Sequence, residues 1–339
     1  MKKTEPEVIF SSGEHIFPAG IGGIQKLPVE YVSHDCNNAF SAMELPFMRN
    51  SLIALPRQIY GPGKRGKLDR KHATKSAVSL MNGVNESGNV EFGYISLGHP
   101  YSISQIKMNV NGTCQFISDR TFGEVNKQVA DFEKNLNKYS GRYQLYQDER
   151  LDSDEFLLGL HDGKWHVALS NIELESSISD FVERLLTQKP FDNQSPNYGT
   201  VQIRVQQSIQ FDDRYFRVCA KIVFNYLAFV KGQNFVLNDR FNPLRDWIVN
   251  GGENKFAVLS GEQTNLVIPF PDKAHKILIV QYGKSIKGLI SFYGNSFETL
   301  IHLCDDFEDI FQLEGFVCDW QNSREFRLND YINLIAFKS

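Results

Sequence analysis

The chain has 339 residues, of which 42% are hydrophobic and 22% charged, with a formal net charge of -4. This is the make-up of an ordinary soluble globular protein, of two domains or of one domain with a small appendage. No run of about 18 apolar residues occurs, and MKKTEPEVIF lacks the apolar core of a signal peptide, so no membrane span and a cytoplasmic location are expected. Five scattered cysteines (Cys36, Cys114, Cys219, Cys304, Cys318) argue against a disulfide scaffold and a cysteine-only zinc site.

Residues 1–56 read as a small unit. EVIF suits a strand, Gly20, Gly22 and Gly23 form a loop, and LPVEYVS alternates like a second strand. HDCNNAFSAMELPFM then starts a helix, with capping chemistry at His34, Asp35, Asn37 and Asn38, and Pro46 is expected to end or kink it. Residues 57–75 form a Gly/Pro-rich stretch with seven Lys/Arg and one Asp, expected to be a linker or mobile arm.

Residues 76–339 read as a larger mixed α+β region. FGEVNKQVADFEKNLNKY and SISDFVERLLTQ carry apolar residues at helical spacing, and FRVCAKIVFNYLAFVKG reads as a buried helix ending at Gly232. Strands are expected in GTVQIRVQQSIQF, KFAVLS, NLVIPF, HKILIVQYG and GLISFYG. HDGKWH reads as a hairpin turned at Asp-Gly rather than a metal pair of His161 and His166. The acidic run CDDFEDIF reads as a solvated helix face, and no repeat or low-complexity tract is present.

Charge is unevenly spread. Residues 1–75 hold 11 Lys/Arg against 7 Asp/Glu, and the remainder 25 against 33. Lys64, Arg65, Lys67, Arg70 and Lys71 supply most of the basic excess and are the candidate nucleic-acid contacts, because a polyanion is drawn to such a segment.

The ordered set Glu14, His15, Ile16, Pro18, Gly22, Gly23, Cys36, Asn37 resembles the HNH nuclease family, whose fold is the ββα-metal finger. The likeness spans roughly residues 8–50, and the Glu of AMELPFMRN fits it too. KIVFNYLAFVKGQNFVLNDRFNPLRDWIVNGG resembles the C-terminal part of long bacterial members. The fold this implies is α+β, a small N-terminal ββα-metal finger followed by a larger mixed α+β domain. The implied activity is metal-dependent hydrolysis of DNA phosphodiesters, in a setting such as bacterial defence against phage or plasmids.

The chemistry matches those residue types. Hydrolysis needs an activated water and a cation on the developing charge. A histidine serves as base because its pKa lies near the working pH, so His15 takes that role. Glu14 and Asn37 are the expected ligands of Mg²⁺ or Mn²⁺, hard ions that prefer oxygen, with Asn38 and His34 as alternatives; a His-containing set would also suit Ni²⁺ or Zn²⁺.

Two departures from the family stand out. Ser11, Ser12 and Ser33 lie where cysteines of a structural zinc would fall, so no structural zinc is expected. The family's middle Asn, which orients the catalytic His, has no match in KLPVE. A second expectation belongs to a different class: an effector subunit, silent until residues 76–339 engage a partner such as an Argonaute-like or ATPase protein.

Overall fold

The computed structural model describes residues 7–63, 66–68, 72–82, 90–109, 114–119, 123–153, 155–187, 192–193, 212–261 and 268–337. After 3₁₀ turns at Ala19–Ile21 and Val29–Tyr31 come α1 (His34–Asn50) and α2 (Ala54–Tyr60). The middle of the chain supplies β1 (Ser79–Asn82), β2 (Val90–Ser96), β3 (His99–Ser102), β4 (Ser104–Asn109), β5 (Cys114–Ile117), α3 (Val125–Leu136), β6 (Tyr143–Gln147), β7 (Glu155–His161), β8 (Lys164–Leu169), α4 (Ile178–Thr187) and β9 (Asp192–Asn193). Then follow α5 (Asp213–Lys231), α6 (Gln233–Val236), α7 (Asn242–Asn250), β10 (Ala257–Leu259), β11 (His275–Tyr282), β12 (Ser285–Phe292), β13 (Phe297–Cys304), β14 (Glu314–Asp319), β15 (Arg324–Arg327) and α8 (Leu328–Ala336).

The fold is α+β, in two compact units: residues 1–74 with 207–339, and residues 75–206. The division differs from one at 1–56, 57–75 and 76–339, because the N-terminal segment shares a core with the C-terminal third. Ile16, Phe17, Ile21, Leu27, Phe40 and Phe47 join α5 and the sheet strands in one cluster of buried side chains. A segment of that length cannot bury enough apolar surface alone, so its core is completed by residues 200 positions away.

In this first unit a six-stranded antiparallel sheet has the order β10-β13-β12-β11-β14-β15. Helix α5 lies against it, with Val218, Cys219, Ile222, Val223 and Tyr226 fully buried. The approach is close at β12: a Cβ on Gly288 would meet Val223 Cγ1 at 2.3 Å, so only glycine fits there. As expected, α5 ends at Gly232, whose φ of 81° closes the helix by donating to Ala228 O.

The second unit pairs a three-stranded sheet, β1-β2-β3, with a six-stranded sheet in the order β6-β8-β7-β4-β5-β9. The two amphipathic helices expected from spacing are α3 and α4, whose Phe132, Leu136, Phe181 and Leu185 enter one core. His161 and His166 belong to a β7–β8 hairpin with Asp162 and Gly163 at φ 48° and 73°, the left-handed pair that a two-residue hairpin turn requires.

Several local expectations are corrected. EVIF forms no strand in its described residues 7–10, and LPVEYVS forms the Val29–Tyr31 turn instead. Pro46 does not end α1: Phe47, tilted against Tyr215 at 5.4 Å and edge-on to Phe292 at 5.6 Å, anchors the helix beyond it, and packing overrides propensity. Residues 305–311 form no helix, because Phe307 and Phe311 turn inward from an irregular loop. Ile268–Phe270 form no strand; the rest of NLVIPF, and GTVQIRVQQSIQF, fall outside the described residues. No described helix is long and apolar enough to cross a membrane.

The stretch 57–75 is not a mobile arm at its start. Arg57 is buried in α2, its Nε donating to Gly20 O at 2.9 Å, and Tyr293 donates to Gly61 O at 3.0 Å. Lys67 is exposed, in a turn where Gly63 N–H donates to its carbonyl at 2.7 Å; Lys64, Arg65, Arg70 and Lys71 lie outside the described residues.

One side chain pins the N-terminal loop to the sheet. His275 on β11 is fully buried among Phe17, Phe292, Tyr293 and Trp320. A neutral ring satisfies both neighbours: Nε2 donates to Ile21 O at 3.1 Å, and Nδ1 accepts from Tyr293 N at 3.1 Å. Burial lowers its pKa from 6.5 to about 3. A depressed folded value means stability that is complete above pH 6.5 and is lost as pH falls toward 3. In that window wild type should lose about 1.4 kcal/mol per pH unit more than His275→Gln, whose amide can keep both hydrogen bonds. Urea unfolding of both proteins between pH 7 and 4 checks this; parallel curves would exclude His275 as the titrating group.

Candidate functional site

Glu14 and His15 sit on a hairpin closed by a single bridge. Ile16 N–H donates to Gln25 O at 2.9 Å, Leu27 N–H to Glu14 O at 2.8 Å, and His15 pairs with Lys26. The intervening loop turns on Gly22, at φ 96°, where a Cβ would also meet Trp320 Cβ at 2.4 Å. Glycine is thus needed twice over at this position, for conformation and for space. The loop is fixed from the sheet side as well, by Gln25 N–H donating to Glu325 at 2.5 Å.

Helix α1 follows the hairpin. Ser33 caps it, its hydroxyl accepting from Cys36 N. Asn37 Nδ2 donates to Ser12 Oγ at 3.2 Å, two residues before Glu14. His34 has both ring nitrogens engaged, Nδ1 with Ser11 Oγ at 2.6 Å and Nε2 with Asn38 Nδ2 at 2.9 Å. Of the three helix candidates, Asn37 is the half-buried one; His34 and Asn38 are exposed and bound to each other.

The partner of Glu14 comes from α5. Lys221 Nζ donates to Glu14 Oε1 and to Glu44 Oε1 on α1, and lies 5.0 Å from the centre of the Phe40 ring. The side chains of Lys221, Glu14 and Glu44 are 3%, 7% and 14% exposed, so all three charges are largely removed from water. One turn along the same face of α5, Asn225 Nδ2 donates to His15 O at 3.1 Å. Hairpin, α1 and α5 therefore meet at a single buried ammonium.

This placement sets the electrostatics. Burial, then Lys26 and Lys221, lower the pKa of His15, with Glu14 opposing; the imidazole is neutral at pH 7 and able to accept a proton. Burial raises Glu44 against the pull of Lys221. Among the described residues, no group of three His, Cys, Asp or Glu side chains is arranged to hold a metal ion. Glu14 and Asn37 have the hard oxygen chemistry that suits Mg²⁺ or Mn²⁺, but one oxygen of Glu14 already carries an ammonium.

Lys221 and Asn225 were not among the sequence candidates. The signal for them was two polar residues four apart inside the otherwise apolar run VCAKIVFNYLAF, which places both on one face of a buried helix. No protein-family model, curated protein or solved structure matches the chain.

Removing the ammonium leaves two carboxylates buried without a partner. Lys221→Met should therefore lower stability by about 3–5 kcal/mol at pH 7. Urea denaturation measures this; a loss below about 1 kcal/mol would mean that Glu14 and Glu44 are not held in a dry site.

Proposed function

We propose that the chain is a metal-dependent endonuclease acting on DNA, and that the hairpin of Glu14 and His15 with α1 is a reduced ββα-metal finger of the HNH type. The observation that carries the reading is the order of residue types along one short segment: Glu14 and the neutral His15 adjoin on the hairpin, and Asn37 of α1 reaches Ser12, two residues before Glu14. The order of hairpin and capped helix supports it further, although the strands are reduced to one bridge.

In this reading His15 is the general base and removes a proton from the attacking water, for which its depressed pKa keeps it unprotonated at neutral pH. Asn225 fixes the backbone of His15, and the Lys26 pairing fixes its strand. Glu14 and Asn37 are the residues that would hold Mg²⁺ or Mn²⁺. The ion would supply charge stabilisation at the scissile phosphate. Lys67, with Lys64, Arg65, Arg70 and Lys71, would contact the phosphate backbone, which positions the duplex without reading bases.

A second reading, an effector held silent until a partner protein such as an Argonaute-like or ATPase subunit docks, is favoured by the ammonium already on Glu14. The same assay distinguishes the two. Nicking of supercoiled plasmid by the purified chain with Mg²⁺ or Mn²⁺, and none with EDTA, is expected if the chain acts alone. His15→Ala should slow that reaction about 10²- to 10⁴-fold with its circular dichroism unchanged. Equal rates for the two proteins would remove His15 from the site.

A further inference from the structure

We propose that Lys26 is a second catalytic residue beside His15, and that its ammonium holds a non-bridging oxygen of the scissile phosphate while His15 takes the proton of the attacking water. The inference rests on the reading of His15 as the general base in DNA hydrolysis. It goes beyond that reading by giving the phosphate a cation borne by the chain, and it does not depend on which residues hold the divalent ion.

Strand register puts the two side chains together. Ile16 N–H donates to Gln25 O and Leu27 N–H to Glu14 O, so these bonds flank His15 and Lys26 and leave them as a non-hydrogen-bonded pair. In an antiparallel pair of that kind the Cα atoms lie about 4.5 Å apart, with both side chains on one face. That face is the outward one. Glu14, Ile16 and Leu27, the residues next to the pair, are buried, and alternation along a strand turns His15 and Lys26 the other way. Lys26 is accordingly exposed and His15 half-buried.

The Lys26 ammonium is also uncommitted: among the described residues it makes no ion pair and no hydrogen bond, whereas that of Lys221 is taken up by Glu14 and Glu44. The main chain beneath the pair is nevertheless fixed. Asn225 holds His15 O, Glu325 holds Gln25 N, and Leu27 is sunk in the core. A cation and a base carried on such a support can meet a substrate without first being ordered.

A free ammonium beside an imidazole matches a phosphodiester undergoing hydrolysis. The water oxygen bonds to phosphorus as its proton passes to the His15 ring, and the P–O bond to the leaving group breaks with its electron pair. The departing alkoxide takes a proton from solvent. Negative charge builds on the phosphoryl oxygens during this step, so a cation aimed at them stabilises the transition state more than the bound substrate. The task asks for charge at one point, which arginine also carries.

The test measures plasmid nicking by the full chain at saturating DNA with Mn²⁺, and binding of a labelled duplex in EDTA over a range of salt. Lys26→Gln should lower kcat about 10²-fold, with circular dichroism unchanged. Its affinity for the duplex should fall less steeply with salt, by about 0.9 in the log-log slope. Lys26→Arg should recover most of the rate. Lys255→Gln, which removes an equal charge from an exposed lysine paired with Glu253, should leave kcat unchanged. Lys26→Gln with the kcat of wild type overturns the inference, as does a loss that Lys26→Arg fails to restore. If His15→Ala slows nicking and Lys26→Gln does not, the inference falls and the nuclease reading stands; if wild type does not nick, both fall.

Discussion

A buried ammonium shared by two carboxylates joins the N-terminal hairpin and the first helix to a helix 207 and 177 positions further along the chain. Lys221 belongs to a helix whose other inward residues, Asn225 apart, are apolar, Glu14 to a loop near the N-terminus, and Glu44 to the first helix. Each charge alone would be strongly disfavoured in this interior; together they offset much of that cost, and only in one geometry. That condition ties the hairpin to α1 and both to α5. It also fixes the surroundings of His15, whose neutrality follows from burial and from the two lysines nearby.

The N-terminal segment has almost no regular secondary structure of its own before α1, and its order comes from individual side-chain to backbone bonds. Ile21 O is held by His275, Gln25 N by Glu325, Gly20 O by Arg57 and His15 O by Asn225. Every anchoring group is a polar side chain that is buried or half-buried, and each satisfies a backbone atom that the single bridge leaves unpaired. A short hairpin clamped in this way presents Glu14 and His15 on a rigid support although the loop around them is irregular.

Much of the regular structure could be read from the sequence. α3, α4 and α5 announce themselves by apolar spacing, the β7–β8 hairpin by Asp162-Gly163, and β11 and β12 by short apolar runs. LPVEYVS has strand-like composition, yet Leu27 and residues of the preceding loop are used as plugs for a core built on the distant sheet; local pattern does not report that use. Pro46 stays within α1 for the same reason, since Phe47 is needed against Tyr215.

Of the candidate site, Glu14, His15 and Asn37 were legible as residue types, and the structure sets them on one hairpin and the helix beside it. What the sequence did not disclose is that Glu14 has a partner 207 positions away. Sequence separation hides such a pair, whereas the polar pair Lys221 and Asn225 within an apolar helix hints that something charged lies opposite.

The central claim is that α5 and the hairpin are energetically coupled through Lys221 and Glu14. A double-mutant cycle of Glu14→Gln and Lys221→Met, read by urea unfolding at pH 7, measures that coupling with least interference from the rest of the fold. The account predicts that the double variant is less destabilised than the two single losses added together, by about 1–3 kcal/mol. Additivity to within about 0.5 kcal/mol would contradict it, and would mean that the two residues are neighbours without a shared interaction.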